Sequence, residues 1–283
     1  MYTGKTKNLG LIGWPVEYSL SPALQNAALE AAHLDYAYIA MPVKKSQLAA
    51  AVAGIRSLGF RGFNVTIPHK TAVMDYLDSI DEVAEAIGAV NTVVCQNGRL
   101  LGYNTDVIGF ITALEGHGFS IKGKRAAVLG AGGAARSIIA GLAHGGIQEI
   151  SIGVRNVQKA EELARMFASK IKLEIHSWED ECFQRNLSAM DLLVNTTPLG
   201  MYPNIEAGPP VKWQYIRPET FVYDVIYTPA LTKFLRMARE NGNHILNGEE
   251  MLVGQGAAAF SLWTGKQADT GVMLAALEKA LKK

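Results

Sequence analysis

The amino-acid sequence predicts an α/β protein of two domains, and three observations support this prediction. The chain has 283 residues, which exceeds the ~100–200 residues that one domain usually takes. Short apolar runs typical of buried strands alternate with amphipathic stretches of helical spacing over most of its length. At residues 125–139 a glycine-rich turn joins one such apolar run to a helix, as in βαβ units built on a parallel sheet.

The composition is that of a globular protein and excludes several classes of function. Hydrophobic residues make up 49% of the chain and charged residues 19%. A net charge of +1 gives no electrostatic support for binding nucleic acid or a membrane surface, so we expect neither partner. The two cysteines form no Cys-x-x-Cys pair, which argues against a disulfide scaffold and fits a reducing compartment. The first nine residues lack a signal-peptide core, and no apolar run reaches ~18 residues. We therefore expect a cytoplasmic protein.

The chain begins with a predicted β-α-β-α segment, with strands at 9–12 and 36–43 and helices at 22–32 and 47–58. Ser21 has the residue type of a helix N-cap, and Pro22 suits the first helical position. Alternatively, the hydroxyls of Ser19 and Ser21 beside this helix N-terminus form a small carboxylate site. The local sequence leaves both interpretations open.

A second informative segment covers residues 61–70. Its strand is predicted to end at Thr66 or Ile67, and Pro68 is predicted to start a helix. Lys70 would then lie in the first helical turn, where a cation opposes the helix dipole. This unusual position favours a functional lysine, although an exposed lysine could tolerate it at a cost of a few tenths of a kcal/mol.

The next segment contains two polar residues of interest. Residues 81–87 are predicted to form a short helix, 89–94 a strand, and 107–117 a helix, while Asn97-Gly98 is a strong hairpin signal. Asn91 is disfavoured inside a strand by propensity, which suggests a polar function. Asp106 is either the N-cap of the following helix or a functional carboxylate.

The glycine-rich turn predicts dinucleotide binding. Gly130, Gly132 and Ala135 occupy the three positions of a G-x-G-x-x-G/A fingerprint. The first permits a tight turn, the second lets the backbone approach a pyrophosphate, and the third allows close packing of helix on strand. The following helix start offers N–H groups and a positive dipole end to phosphates.

Alternating elements continue to the end of the chain. Predicted strands are at 149–154, 171–175, 191–195, 221–226 and 244–246, and predicted helices at 157–168, 230–241, 251–265 and 272–283. Gln255 lies in a helix rich in small residues, where a buried amide needs a partner or a ligand. The histidines have no metal-ligand spacing, so we expect no metal.

Six motifs, in this order and over nearly the whole chain, resemble those of the shikimate dehydrogenase family. They are Ser19-Leu-Ser21-Pro, Asn64-Val-Thr66-Ile-Pro-His-Lys70, Gly88-Ala-Val-Asn91-Thr, Gly102-Tyr-Asn104-Thr-Asp106, Asn195-Thr-Thr-Pro-Leu-Gly-Met201 and Gly254-Gln255-Gly256-Ala. The resemblance implies an enzyme of aromatic amino acid biosynthesis that reduces 3-dehydroshikimate to shikimate with NADPH. It also implies a substrate-binding domain at 1–106 completed by helices at 248–283, and a Rossmann-type NADP-binding domain at 107–247. A monomer or a homodimer is expected.

The same resemblance assigns roles to individual residues. It implies that Lys70 and Asp106 are the catalytic pair, which suits a reaction whose alkoxide product needs a proton and a positive neighbour. The implied substrate-binding residues are Ser19, Ser21, Thr66, Asn91, Asp106, Tyr227 and Gln255. The implied cofactor-binding residues are Gly130, Ala131, Gly132, Gly133, Ala134, Arg155, Asn156, Lys159, Thr196, Met201, Ile226 and Gly248.

The sequence after the second strand of the nucleotide-binding domain predicts NADP(H) rather than NAD(H). No acidic residue precedes Glu161, whereas Arg155 can pair with a 2′-phosphate and Lys159 adds a second positive charge. The family usually has Asn-Arg-Thr where this chain has Val154-Arg155-Asn156, so the strength of this preference is open. A dual quinate/shikimate dehydrogenase using NAD or NADP is the alternative, and a non-catalytic ligand sensor of the same fold is a further one.

Overall fold

The computed structural model describes residues 3–282, except for the side chain of Lys159. The chain divides into two compact units. Unit 1 comprises the residues up to Gly109 together with those from Leu252 onward, and unit 2 is Phe110–Met251. Each unit contains one six-stranded sheet with helices, which confirms the predicted α/β class.

Unit 1 begins with the elements β1 (Lys7–Gly13), α1 (Ser21–Ala31), β2 (Tyr36–Pro42), α2 (Leu48–Ser57), β3 (Gly62–Val65), β4 (Ser79–Ile80), α3 (Glu82–Ile87), β5 (Thr92–Gln96) and β6 (Arg99–Tyr103). Helix α4 (Asp106–Gly116) follows, and its residues from Phe110 onward belong to unit 2. Its sheet has the order β2-β1-β3-β5-β6-β4. Strand β1 is parallel to β2 and β3, whereas β5 is antiparallel to both of its neighbours. The predicted hairpin between β5 and β6 is confirmed, since Asn97 and Gly98 both have positive φ angles, of 51° and 75°.

Unit 2 contains β7 (Arg125–Leu129), α5 (Gly133–His144), β8 (Glu149–Val154), α6 (Val157–Phe167), β9 (Lys172–Ser177), α7 (Glu181–Asn186), β10 (Leu192–Asn195), β11 (Phe221–Asp224), α8 (Lys233–Glu240) and β12 (Ile245–Leu246). All six strands are parallel, in the order β12-β11-β10-β7-β8-β9. This is the doubly wound order of Rossmann folds, in which ligands bind at the carboxyl ends of the strands where the winding direction reverses. In this sheet the reversal lies between β7 and β10.

The last two helices, α9 (Glu249–Thr264) and α10 (Thr270–Leu281), complete the core of unit 1. Phe260 of α9 and Met273 and Leu277 of α10 are fully buried in one cluster with Leu24 and Leu29 of α1. The apolar face of α1 is therefore covered by helices that follow it by more than two hundred residues.

Two predicted helix starts are wrong, and a long-range hydrogen bond accompanies the first. Pro68 does not begin a helix, because the Lys70 carbonyl accepts a hydrogen bond from Val90 N (2.8 Å) and so cannot serve a helical turn. A short 3₁₀-helix begins only at Ala72. Ser21 is not an N-cap either: the cap position is Leu20, which makes no side-chain capping bond, and Ser21 is already helical.

The observed starts of β5 and α4 differ from the predicted ones and change the positions of Asn91 and Asp106. Asn91 is not inside a strand, since β5 begins at Thr92. Asp106 is the first residue of α4 rather than the residue before it, and its N–H donates to Asn104 Oδ1 (3.1 Å). The Asp106 carboxylate is thus available for other partners. The remaining predicted elements lie within a few residues of the observed ones, and the predicted bounds of β8 are confirmed.

Candidate active site

Lys70 and Asp106 form an ion pair in unit 1. Lys70 follows the turn after β3, and Asp106 begins α4. Lys70 Nζ donates to Asp106 Oδ2 over 2.7 Å, and the two side chains are only 18% and 9% exposed. The helix-dipole argument for Lys70 no longer applies because Lys70 lies outside any helix. Instead, a partly desolvated carboxylate holds the ammonium group.

Asn91 fixes the orientation of the Asp106 carboxylate from its other side. Asn91 Nδ2 donates to Asp106 Oδ1 (2.8 Å) and to Thr105 Oγ1 (3.0 Å). Asn91 Oδ1 accepts from Thr105 N (2.8 Å). Both the nitrogen and the oxygen of the Asn91 amide therefore form hydrogen bonds. Each carboxylate oxygen of Asp106 accepts one, Oδ1 from Asn91 and Oδ2 from Lys70. The structure therefore joins three of the predicted site residues, Lys70, Asn91 and Asp106, by direct contacts.

A buried polar network extends from this cluster, and sequence reasoning did not single out its members. Thr92 Oγ1 donates to Asn91 Oδ1 (3.0 Å) and accepts from Asn64 Nδ2 (3.0 Å). Asn64 Nδ2 also donates to the Asn91 carbonyl (3.1 Å), which leaves Asn64 Oδ1 to accept from the Tyr38 hydroxyl (2.7 Å). The available signal was the occurrence of polar residues such as Asn64 within otherwise apolar strands.

Ser21 lies near this network, beside Tyr38. Burial raises the pKa of Tyr38 well above its ordinary value, and the nearby Ser21 side chain opposes this rise. Ser19 lies next to Ser21, since Ser19 Oγ accepts from Ser21 N (3.3 Å). Both serines are half-buried at the start of α1.

Two other predicted residues of unit 1 are not joined to the network. Thr66 is half-buried at the end of β3. Gln255 lies within α9, and its Nε2 donates to Leu252 O of the same helix (2.8 Å). Within residues 3–282 neither side chain has a hydrogen bond to Lys70, Asn91 or Asp106.

The glycine-rich turn of unit 2 lies at the carboxyl end of β7. Gly130 has a φ of 110°, and a Cβ there would lie 2.7 Å from Thr196 Oγ1, so both the backbone and the space require glycine. At Gly132 a Cβ would meet no atom within 4 Å, so the backbone is open to close approach by a ligand. Helix α5 begins at Gly133, and Ala131 and Ala134 flank these glycines.

Further predicted cofactor residues, and the predicted substrate residue Tyr227, lie in the segments that follow β10, β11 and β12. Thr196 is buried directly after β10, and its hydroxyl donates to Leu129 O at the end of β7 (2.7 Å). Ile226 is buried, Tyr227 is half-buried and Gly248 N donates to Ile226 O (3.0 Å). Burial raises the pKa of Tyr227. Met201 is exposed farther along the β10 loop.

The residues predicted to select the cofactor follow β8. Arg155 and Asn156 are exposed between the end of β8 and the start of α6. Glu161 lies inside α6, as expected. The predicted contact of Lys159 depends on a side chain outside the described residues.

Neither a metal site nor a membrane span is found in the described part of the chain. No group of three or more histidine, cysteine, aspartate or glutamate residues there could hold a metal ion. None of the helices in residues 3–282 combines the length and the apolar character needed to cross a bilayer.

Three family models match consecutive parts of the chain. Residues 11–93 match the shikimate dehydrogenase substrate binding domain, residues 113–199 the shikimate/quinate 5-dehydrogenase model, and residues 248–278 the shikimate 5′-dehydrogenase C-terminal domain.

Individual proteins match over nearly their whole length. The shikimate dehydrogenase (NADP(+)) of Moorella thermoacetica is 46% identical over 276 residues, which cover 96% of this chain and 93% of the relative. A crystal structure of a shikimate dehydrogenase in complex with NADP+ has 41% identity and a TM-score of 0.93, with 100% of this chain and 98% of the other covered. The Thermus thermophilus enzyme in complex with NADP(H) and shikimate has 36% identity and a TM-score of 0.88, with 97% and 100% covered.

Proposed function

The chain belongs to the shikimate dehydrogenase family, and we propose how its residues carry out that family's reaction. The chain is an NADP-dependent oxidoreductase that reduces 3-dehydroshikimate to shikimate, a step of the shikimate pathway. The assignment of individual residues rests chiefly on one observation, the ion pair of Lys70 and Asp106 at 2.7 Å with Asn91 on the second carboxylate oxygen.

Lys70 is the proton donor in this proposal. When bound, NADPH would supply a hydride to the ketone carbon, and the ketone oxygen would become an alkoxide. The ammonium group of Lys70 stabilises that negative charge and transfers a proton from Nζ to the oxygen. In the reverse direction the neutral amine takes the proton from the shikimate hydroxyl.

Asp106 orients Lys70 and contacts the substrate. Its Oδ2 accepts from Lys70 Nζ, so the ammonium is held in one direction while its remaining N–H groups stay available. Asn91 keeps the carboxylate from rotating. A pair held on both sides in this way needs little reorganisation when charge develops, which is the condition for electrostatic catalysis.

The substrate carboxylate and hydroxyls require polar groups at some distance from the reacting carbon. Ser19 and Ser21 are proposed to bind the carboxylate at the start of α1. Thr66, Asn91, Asp106, Tyr227 and Gln255 are proposed to contact the hydroxyls. The hydrogen bonds from Tyr38 to Asn64 and from Asn64 to Asn91 support this arrangement, because Ser21 lies near the Tyr38 hydroxyl and Asn91 contacts Asp106.

The cofactor fits the residues at the carboxyl edge of the second sheet. The open backbone at Gly132 and the start of α5 suit a pyrophosphate, which we propose is held by residues 130–134. Arg155 is proposed to bind the 2′-phosphate, together with Asn156 and Lys159. Thr196, Met201, Ile226 and Gly248 are the proposed contacts of the remaining part of the cofactor.

The two predicted domains have separate tasks in this proposal. Residues 1–106 with 248–283 bind the substrate, and residues 107–247 bind NADP(H). A cytoplasmic location is supported by Cys95 and Cys182, which are both free thiols. A monomer or a homodimer is proposed, and light scattering of the purified protein distinguishes the two.

A spectrophotometric assay of the purified protein tests the function. Formation of reduced nicotinamide is followed with shikimate and with quinate, each against NADP+ and NAD+. We expect the highest kcat/KM with shikimate and NADP+. Equal kcat/KM with quinate would identify a dual-specificity enzyme, and binding of shikimate without turnover would identify a sensor.

A further inference from the structure

Asp224 is a buried carboxyl group that the proposed reaction does not use. It is the last residue of β11, and its side chain is completely inaccessible to solvent. Burial raises the pKa of this carboxyl to about 6, against the opposing effect of three hydrogen bonds. Burying a carboxyl group is unfavourable unless its polar atoms are satisfied, so such a residue needs a specific reason.

Three neutral donors surround this carboxyl group. Asp224 Oδ1 accepts from Asn195 Nδ2 (3.1 Å) and from Ile226 N (3.1 Å), and Oδ2 accepts from Thr232 Oγ1 (2.7 Å). Among the described residues no lysine or arginine forms a salt bridge with it. An ionised carboxylate accepts from all three partners, and its charge strengthens each of these hydrogen bonds, whereas an amide offers one acceptor oxygen and no charge.

Asn195 extends the influence of Asp224 into the loop that follows β10. Asn195 Oδ1 accepts from Thr197 N (3.0 Å) and Thr197 Oγ1 (2.7 Å). The Asn195 amide can make these bonds only while its Nδ2 faces Asp224 Oδ1. A flipped amide would lose the bond to Asp224 and the bond from Thr197 N. The first residues of the loop, including Thr196, are therefore held by a side chain from the neighbouring strand.

The other two donors fix the segment that follows β11. The bond from Ile226 N closes a tight turn directly after Asp224. Thr232 ends the same segment, and its Oγ1 also accepts from Leu235 N, which caps α8 (3.2 Å). Both ends of the segment that contains Ile226 and Tyr227 are thus tied to one carboxylate.

We propose that Asp224 is a positioning residue of the cofactor site, which holds the loops after β10 and β11 in the conformation that binds NADP(H). One buried group secures the loops after β10 and β11 at the carboxyl edge of the sheet. This inference rests on the proposed function, because Thr196 and Ile226 are cofactor contacts only in that proposal.

The test is the dissociation constant of NADPH, measured by fluorescence titration without substrate. Asp224→Asn replaces one acceptor oxygen with an NH2 group and removes the charge that strengthens all three hydrogen bonds, and we expect its dissociation constant to rise at least tenfold. Asp191→Asn is the matched control. Asp191 directly precedes β10, at the end of the strand away from Asn195, and its Oδ2 accepts from Arg125 N (3.0 Å). This variant should lower Tm, while the dissociation constant of NADPH should stay native.

A milder pair of variants keeps the inference testable if Asp224→Asn does not fold. Thr232→Ala removes one of the three donors and should raise the dissociation constant several-fold, whereas Thr232→Ser keeps the hydroxyl and should bind as the native protein does. A native dissociation constant in folded Asp224→Asn, or in Thr232→Ala, overturns the inference. A native protein that does not bind NADPH overturns the cofactor assignment of the proposed function, and this inference with it.

Discussion

Lys70 and Asp106 are 36 residues apart in the chain, yet their Nζ and Oδ2 atoms lie 2.7 Å apart. The turn after β3 supplies the lysine and the first residue of α4 supplies the carboxylate, so the pair exists only after β3, β5 and β6 have assembled around Asn91. A second ion pair of unit 1, Arg56 with Asp78, is more exposed, at 38% and 32%. It therefore offers a comparison within the same unit.

Lys70→Ala should lose at least ~10²-fold in kcat, the low end for a positioned acid–base group, and should bind shikimate within about tenfold of the native protein. Asp106→Asn should lower kcat and raise KM, since it changes both the charged partner of Lys70 and a proposed substrate contact. Steady-state kinetics at saturating NADP+ measure both effects. Asp78→Asn is the control and should retain native kcat. Near-native kcat in either of the first two variants would refute the assignment of the pair.

Replacing both Ser19 and Ser21 with alanine should raise KM for shikimate far more than it lowers kcat. A carboxylate contact distant from the reacting carbon stabilises the bound substrate and the transition state equally. Ser57→Ala, an exposed serine whose hydroxyl bonds within α2, is the control. The methyl ester of shikimate has no carboxylate charge and should lose less in the double variant. An unchanged KM for shikimate would assign the two serines to the fold alone.

Arg155→Ala should reduce kcat/KM with NADP+ much more than with NAD+. The guanidinium can bind the 2′-phosphate with two parallel hydrogen bonds, and NAD+ lacks that phosphate. Kinetics with each cofactor give the ratio directly. Arg165→Ala, at the far end of α6, should leave the ratio native. A native preference for NAD+, or an Arg155→Ala protein that still prefers NADP+, would contradict the prediction.

Tyr38 and Tyr223 form a matched pair for measuring the network. Both are buried, but the Tyr38 hydroxyl donates to Asn64 Oδ1, whereas the Tyr223 hydroxyl has no hydrogen-bond partner in the described structure. Tyr38→Phe should lower the free energy of unfolding by about 1–3 kcal/mol, because Asn64 is left with an unpaired buried oxygen. Tyr223→Phe should be neutral or stabilising. Urea denaturation measures the free energy of unfolding of both variants. Equal losses in Tyr38→Phe and Tyr223→Phe would show that the hydrogen bond to Asn64 contributes nothing to stability.

The pKa of Asp224, raised from 3.8 to about 6, predicts a specific dependence of stability on pH. Between pH about 4 and about 6 the folded protein holds this proton more tightly than the unfolded chain does. The stability contributed by Asp224 therefore falls as the pH rises through this window and is constant above it. The native protein should exceed Asp224→Asn in free energy of unfolding by more at pH 5 than at pH 7. An excess that grows with pH would mean that the three donors outweigh burial.

Features encoded by neighbouring residues could be predicted from the sequence, and features decided by distant partners could not. The Gly130 turn, the bounds of β8 and the Asn97-Gly98 hairpin depend on local backbone requirements, and all three are found. The helix expected at Pro68 does not form, and the carbonyl of Lys70 instead accepts a hydrogen bond from the distant Val90 N.

The buried polar residues show the same limit within the site. Asn64 has its partner Tyr38 26 positions earlier, and Asp224 has Asn195 29 positions earlier. No spacing rule connects such residues. Their sequence signal is only a polar residue within an apolar strand, which marks a position but does not identify the partner.

The discontinuity of unit 1 has a consequence for the order of events during synthesis. Unit 2 is one continuous segment, so all of its core residues are translated before the last helix is made. In unit 1 the apolar face of α1 is covered by Phe260, Met273 and Leu277, which are translated at the end. Leu24 and Leu29 consequently remain uncovered while the second domain folds, and such transiently exposed surface is where chaperones bind and aggregation begins. The enzyme's first helix is thus among the last parts of the molecule to be buried.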